Sequence, residues 1–247
     1  MTPKTYSLNN ISILHDADVA ADFPPQFFEA AYWQQNGSYE GQAEEGKGTT
    51  IFVRDGEQSW AMRHYHRGGA VAWFLRDSYL WCGLNRSRPW REWHLLADLH
   101  QQGLPVPAPI AAQVVRSRFV YRADLVMSRI EHANVWMDWM RRDALSAQDW
   151  QALGQTLRRF HNADVYHHDL NINNILRTQE GEIYLIDFDK ARIRNGGGYW
   201  KRQNLDRLQR SIDKQLGKGI ELHFNESCWR QMLQGYMLAA GQGNVSS

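Results

Sequence analysis

The segment Tyr166-His167-His168-Asp169-Leu170-Asn171-Ile172-Asn173-Asn174-Ile175-Leu176, with Ile186-Asp187-Phe188-Asp189 after it, constrains the fold more than any other stretch. Asp169 and Asn174 stand five positions apart, and Asp187 follows Asn174 by thirteen. Between Asn174 and Asp187 lie a short apolar piece, Ile175-Leu176, a turn at Gly181 and a strand-like run over 182–186. That is enough chain for a short β-hairpin, which returns Asp187 beside the polar loop carrying Asp169 and Asn174.

The rest of the chain divides by pattern. Thr50-Ile51-Phe52-Val53-Arg54 reads as a strand, Asp55-Gly56 as a turn and Ser59 to Tyr65 as the returning strand of a hairpin. Pro89 to His100 has helical periodicity, with Trp90, Trp93, Leu96 and Ala97 on one face. Gly103 stops that helix, and Pro105, Pro107 and Pro109 impose an extended connection. Leu125-Val126-Met127 is a further strand. Beyond it, Ser146 is the N-cap of a helix through Trp150, Leu153, Leu157 and Phe160, and the tail from about Gln203 reads as helical. The expected class is α+β, with a β-rich lobe over 1–130 and a mainly α lobe over 131–247. With 43% hydrophobic and 22% charged residues, a packed core is expected throughout.

The residue types around Asp169 point to a chemistry. Moving a phosphoryl group to a hydroxyl needs a carboxylate that orients the hydroxyl and accepts its proton. It also needs hard oxygen ligands for Mg²⁺, to offset the crowded phosphate charge. Asp169 suits the first task, and Asn174 and Asp187 suit the second. His167, His168 and Asp169 could also begin a metal cluster, but no second ligand set stands at helical spacing elsewhere. The loop and the Asp-Phe-x element, in this order, resemble the catalytic loop and metal-binding motif of the protein-kinase-like fold, which implies a bilobed ATP-dependent enzyme.

Within that resemblance the upstream parts fall in order. Gly46-Lys47-Gly48 precedes the first hairpin strand, where a phosphate-covering turn belongs, so Gly46 and Gly48 are expected at ATP; alone the stretch is an ordinary turn. Arg63 takes the place of the usual phosphate-binding lysine, and Glu92 on the following helix is its natural partner. As isolated residues, both would be solvated surface. Arg63-His64-Tyr65-His66-Arg67-Gly68-Gly69, Gly103-Leu104-Pro105-Val106-Pro107, Asp187-Phe188-Asp189-Lys190 and Trp200 to Ser211 together resemble the 3-deoxy-D-manno-octulosonic acid (Kdo) kinases over roughly Gly46 to Lys214. That resemblance implies ATP and Mg²⁺ as cofactors and a Kdo-bearing lipid A precursor as acceptor, in lipopolysaccharide inner-core assembly. A heptose kinase of the same pathway, another small-molecule kinase, or a non-catalytic kinase-fold binding module are the alternatives. The last is suggested by arginine at 63, and ATP turnover separates it. Asp189 in place of the motif's glycine, and the lack of an Ala-Pro-Glu signature, disfavour a regulated protein kinase.

Charge adds a location. The net charge of +1 hides a stretch, 190–218, with nine basic and two acidic side chains, a local +7 against −6 for the remainder. A solvated helix face is the plain reading. Its position after Asp187 suits a basic groove for an anionic glycolipid or membrane surface, with Arg192, Arg194, Lys201 and Arg202 as docking residues and Tyr199 and Trp200 at headgroup level. No RNA-binding signature accompanies the charge, so nucleic acid is not expected, and no obligate protein partner is inferred. No export signal opens the sequence and no apolar run of about 18 residues interrupts it. Cys82 and Cys228 form no disulfide framework. The expectation is a peripheral protein at the cytoplasmic face of the inner membrane.

Overall fold

The computed structural model describes residues 1–45, 48–66, 77–194, 196 and 198–239. The chain forms two compact units, one of residues 1–98 and 107–129, the other of 99–106 and 130–239 among those described. The division is not a single cut near residue 130, and local bonds explain why. Gly103, in the left-handed region at φ 71°, ends the helix there, and its carbonyl accepts from Arg159 Nη2 at 2.6 Å. Two residues on, the Pro105 carbonyl accepts from the Leu185 N–H at 3.1 Å. The connector is thereby tied to the second unit.

The first unit is built on strands β1 (Pro3–Leu8), β2 (Ile11–Asp16), β3 (Tyr39–Glu45), β4 (Gly48–Asp55), β5 (Gln58–His64), β6 (Tyr79–Leu80), β7 (Pro109–Ser117) and β8 (Val120–Ser128). They form one sheet in the order β1-β2-β7-β8-β5-β4-β3, with β6 paired to β8. The expected hairpin is β4–β5, in register Thr50↔Arg63 and Val53↔Trp60, turning at Gly56 with φ 59°. The short helix α1 (Ala30–Gln35) lies within this unit, and helix α2 (Arg88–Gln101) runs on from it into the connector. Ile13, Phe23, Trp33, Val53, Trp60, Met62, Ile110, Ala111 and Val126 form a buried core, in which the rings of Phe23 and Trp33 stand 5.5 and 5.7 Å from Trp60. Burying a large apolar side chain contributes about 1.5–3 kcal/mol, so this cluster holds the sheet face. The abundance of tryptophan is mostly a core property: Trp33, Trp60, Trp90, Trp93, Trp136, Trp150 and Trp200 are all buried.

The second unit carries helices α3 (Trp136–Arg142), α4 (Ala147–Asn162), α5 (Tyr199–Leu216) and α6 (Glu226–Leu238). Its strands are β9 (Ala133–Val135), β10 (Val165–Tyr166), β11 (Ile175–Thr178), β12 (Ile183–Leu185) and β13 (Arg192–Ile193). They form a three-stranded sheet, β12-β11-β9, and a β10–β13 pair. The α4 N-cap is a full capping box: Ser146 Oγ accepts from the Asp149 N–H, and the Asp149 carboxylate accepts from the Ser146 N–H. Asp149 also binds Arg177 of β11 at 2.7 Å, which pins the start of α4 to the hairpin. Along α4, Trp150, Leu153, Leu157 and Phe160 are buried, as the helical spacing predicts. At Gly154 the backbone of α6 comes so close that an added Cβ would lie 1.9 Å from the Met232 carbonyl oxygen. At Gly235 the same atom would meet the Gln151 carbonyl oxygen at 2.1 Å.

The tail helix begins at Tyr199, four residues earlier than its sequence pattern indicates. Trp200 is therefore in its first turn and buried, with its ring 5.2 Å from His161 and 6.0 Å from Tyr166. This corrects its placement at headgroup level; Tyr199 alone is exposed. Among the described residues, no helix is long and apolar enough to cross a membrane.

Candidate active site

Helix α4 ends at Asn162, and β10 leads within a few residues to the loop 167–174. The loop alternates in exposure for a physical reason. Leu170, Ile172 and Ile175 are buried at 1% exposure or less, and these apolar anchors turn Asp169 and Asn173 outward. Polar side chains then fix its shape. The Asp169 carbonyl accepts from Asn174 Nδ2 at 2.9 Å and from Asn171 Nδ2 at 3.1 Å, and Asn171 Oδ1 accepts from the Asn173 N–H at 2.9 Å. Because the Asn174 amide nitrogen is spent on Asp169, its oxygen is the part of the side chain left to act as a ligand.

The hairpin expected between Asn174 and Asp187 is β11–β12, in register Ile175↔Leu185, Leu176↔Tyr184 and Arg177↔Ile183, with Gly181 in the turn at φ 93°. Its base closes where the Ile186 N–H donates to the Asn174 carbonyl at 3.0 Å. Asp187 follows in the left-handed region at φ 63°. A non-glycine residue there costs of order 1–3 kcal/mol and persists only where its surroundings dictate it. Those surroundings are packed: Phe188 is 1% exposed, with its ring 4.8 Å from His167 and 5.9 Å from Phe160 of α4. Asp169 and Asp187 line one cavity of ≈ 320 Å³, shared with His168, Asp189, Lys190 and Arg207.

His167 works inside the structure, not at its surface. Its Nε2 donates to the Ile186 carbonyl at 2.9 Å, which assigns the ring proton to Nε2, and Nδ1 is buried without a partner. Burial holds this imidazole below its usual pKa, so it is neutral. The His167 backbone is held by Asn204 of α5, whose Oδ1 accepts from the N–H at 3.2 Å and whose Nδ2 donates to the carbonyl at 2.8 Å. Further along the same helix, Ser211 Oγ accepts from the Ile172 N–H at 3.0 Å. Asn204 and Ser211 are site-forming residues that the local motif does not reveal. Only the fold marks them: Asn204 is fully buried in an otherwise apolar helix stripe, a position that demands a partner.

In the first unit, Arg63 on β5 and Glu92 on α2 are brought together. Arg63 Nη2 lies 2.7 Å from both Glu92 carboxylate oxygens. Glu92 is 1% exposed and also accepts from the Tyr65 hydroxyl at 2.5 Å. Burial, followed by the Glu92 charge, pushes the Tyr65 hydroxyl well above the usual tyrosine pKa, so the tyrosine stays a donor. Glu92 is thus a buried acceptor of three hydrogen bonds and Arg63 is half-buried against it, not the solvated surface each would be alone. Gly48 opens β4 opposite Glu45; Gly46 lies outside the described residues.

Three of the four docking cations are engaged by neighbours. The guanidinium carbons of Arg192 and Arg194 stand 5.5 and 4.6 Å from the centre of the Tyr166 ring, and Lys201 lies 3.3 Å from Asp164. Arg202 is exposed on α5. None of the four lines the cavity at Asp169, whose cations are Lys190 and Arg207.

Residues 30–236 match the lipopolysaccharide kinase (Kdo/WaaP) family. The chain is similar to the 3-deoxy-D-manno-octulosonic acid kinase of Photobacterium profundum, at 39% identity over 230 residues, 93% of this chain and 96% of that protein. The protein of the same name from Vibrio parahaemolyticus is 39% identical over 221 residues, covering 90% and 92% of the two chains. That of Haemophilus influenzae is 34% identical over 241 residues, covering 94% and 98%.

Proposed function

The chain belongs to the lipopolysaccharide kinase (Kdo/WaaP) family, and from that premise we propose that it transfers the terminal phosphoryl group of ATP to a hydroxyl of a Kdo sugar on a lipid A precursor. The observation that carries this reading is the single cavity holding Asp169 and Asp187, with Asn174 bonded to the Asp169 backbone. The Asp169 carboxylate orients the acceptor hydroxyl and takes its proton as the oxygen attacks the γ-phosphorus. The bond from that phosphorus to the bridging oxygen breaks, and ADP leaves with the electron pair.

Asn174 and Asp187 offer an amide oxygen and a carboxylate, the hard donors that fit Mg²⁺. When bound, that ion offsets phosphate charge. The backbone at Asp187 and the Asn174 bond to Asp169 hold these donors before any ligand arrives, so little reorganisation accompanies binding. Arg63, its fork fixed on Glu92, serves as the cation for the nucleotide phosphates, and Gly46 and Gly48 are assigned to ATP binding with it.

The acceptor is a membrane glycolipid, and the reading places the enzyme peripherally on the cytoplasmic face of the inner membrane. Arg192, Arg194, Lys201, Arg202 and the exposed Tyr199 supply the anionic contact. Incubation with ATP, Mg²⁺ and the Kdo-bearing lipid A precursor, followed by mass spectrometry, tests the assignment. One phosphate gained on the Kdo moiety supports it; phosphate only on a heptose-bearing acceptor, or none with any acceptor, sinks it.

A further inference from the structure

The cavity at Asp169 holds more than the transfer reaction needs. Besides the two acidic groups already assigned, it is lined by His168, Asp189, Lys190 and Arg207. A cation beside so many carboxylates would ordinarily pair with one. Yet among the described residues neither Lys190 nor Arg207 has a hydrogen-bond or ion-pair partner, whereas Lys201, Arg177, Arg129 and Arg54 all do. The helix explains where Arg207 points. It lies three residues after Asn204 and four before Ser211, a spacing that keeps all three on one helical face. Asn204 and Ser211 pin His167 and Ile172, on either side of Asp169. Arg207 is therefore directed at the loop segment that carries the catalytic carboxylate. Electrostatics agree: after burial, Lys190 and Arg207 are the next strongest influences holding the His168 imidazole below its usual pKa, so both charges act within the cavity.

We propose that Arg207 and Lys190, with the His168 ring beside them, form an anion subsite that receives the carboxylate of the acceptor's sugar acid and thereby presents its hydroxyl to Asp169. This rests on the acceptor reading above and deepens it. An octulosonic acid differs from a neutral sugar by that carboxylate, and a guanidinium fork with a nearby ammonium is the donor set that recognises one. The subsite makes selectivity between acidic and neutral sugars a property of two side chains, separate from the four cations that lie between them in the sequence.

The test compares the Kdo-bearing acceptor with the same acceptor as its carboxyl methyl ester, which keeps every hydroxyl and removes the charge. Wild-type enzyme prefers the acid by about 10- to 100-fold in kcat/KM, the range of a charge-assisted hydrogen bond. Arg207→Gln and, independently, Lys190→Gln bring that ratio toward one, and Arg207→Lys restores part of it. Lys190 is exposed, so its variant reports even if Arg207→Gln fails to fold. If these cations bind the nucleotide phosphates instead, both acceptors slow equally and the unchanged ratio overturns the proposal. If wild-type enzyme phosphorylates neither acceptor, the acceptor reading fails on its own, and saturation-transfer NMR with free Kdo and its methyl ester decides the subsite. Binding of the acid alone, lost in Arg207→Gln, supports it; equal binding of acid and ester overturns it.

Discussion

Asn204, in the middle of α5, answers both backbone hydrogen-bonding groups of His167, two residues before Asp169. A single amide thus holds the loop that carries Asp169 in register with a helix that starts more than thirty residues after His167. Replacing it with alanine strands a buried N–H and a buried carbonyl, at about 1–3 kcal/mol each. Asn204→Ala is expected to lower the unfolding midpoint in urea and to reduce kcat at least 10-fold, because misplacement of a catalytic group by about 1 Å costs up to about 100-fold. Nucleotide affinity, measured by titration at a temperature where the variant stays folded, separates loop misplacement from general loss of structure. A variant that loses stability but keeps kcat would leave Asn204 a structural residue only.

Glu92 is the partner on which the Arg63 assignment depends. An exposed helix glutamate could be removed at little cost to the fold, but this one is buried and receives three hydrogen bonds. Glu92→Ala leaves Arg63 and the Tyr65 hydroxyl facing a void and is expected to cost about 3 kcal/mol or more. It also frees the guanidinium to rotate, so the KM for ATP rises and kcat falls. Steady-state kinetics at saturating acceptor, alongside denaturant unfolding, measures both. An unchanged KM for ATP would remove Arg63 from the nucleotide site.

What could be read from the sequence follows the range of the interactions. The Asp169, Asn174 and Asp187 set is legible because loop, hairpin and motif are contiguous, and the β11–β12 register follows from two short apolar runs around Gly181. Arg63 and Glu92 are legible because the order of strand and helix resembles a known arrangement, although the burial of Glu92 is not visible. Asn204 and Ser211 are not legible, since what they bind lies on a loop elsewhere in the chain and an asparagine in a helix carries no local sign of its partner. The neighbours of the docking cations are hidden in the same way: the β10–β13 pair sets Arg192 and Arg194 against the Tyr166 ring, and Lys201 of α5 pairs with Asp164. Trp200 looks suited to an interface in the sequence and instead fills the space beside His161.

His161 sets a pH limit on stability. It sits buried at the end of α4, with Nδ1 2.7 Å from the Tyr236 hydroxyl, and burial lowers its pKa from 6.5 to about 4. The unfolded chain takes up a proton near pH 6.5 that the folded chain refuses until about pH 4. The stability contribution is therefore complete above the unfolded value and is lost progressively as pH falls through that window, on the order of 3 kcal/mol at most. The buried His167 acts in the same direction. Urea unfolding at pH 7.5 and pH 5 should show the decline, and His161→Gln should flatten it without abolishing it. A slope unchanged by that substitution would assign the acid sensitivity elsewhere.

Asp169→Asn tests the chemistry with least disturbance, because the side chain faces outward and the loop is fixed through the Asp169 backbone carbonyl. The amide keeps the shape but cannot accept the hydroxyl proton. Turnover should fall by about 10²–10⁴-fold, the usual contribution of a general base. Nucleotide binding should persist, since Arg63 and the Asn174 and Asp187 donors are untouched. Coupled-enzyme kinetics and equilibrium nucleotide titration give the two numbers. Near-normal turnover would exclude Asp169 as the base.

The close contact between α4 and α6 gives the sharpest prediction about the scaffold. At Gly154 a methyl group would lie 1.9 Å from the Met232 carbonyl oxygen and 2.6 Å from the Tyr236 nitrogen. Both are backbone atoms of the facing helix, so no side chain can swing away and the helices must separate. Overpacking of this kind costs about 1–3 kcal/mol, occasionally more, and outweighs the gain of up to about 1 kcal/mol that alanine brings to a helix interior. Gly154→Ala is therefore expected to be destabilising, although the same change at an exposed helical glycine would stabilise. Because α4 leads into β10 and the catalytic loop, its displacement should also lower kcat. Thermal unfolding with parallel activity assays decides the sign, and a raised midpoint would show that α6 is not seated on α4 at this distance.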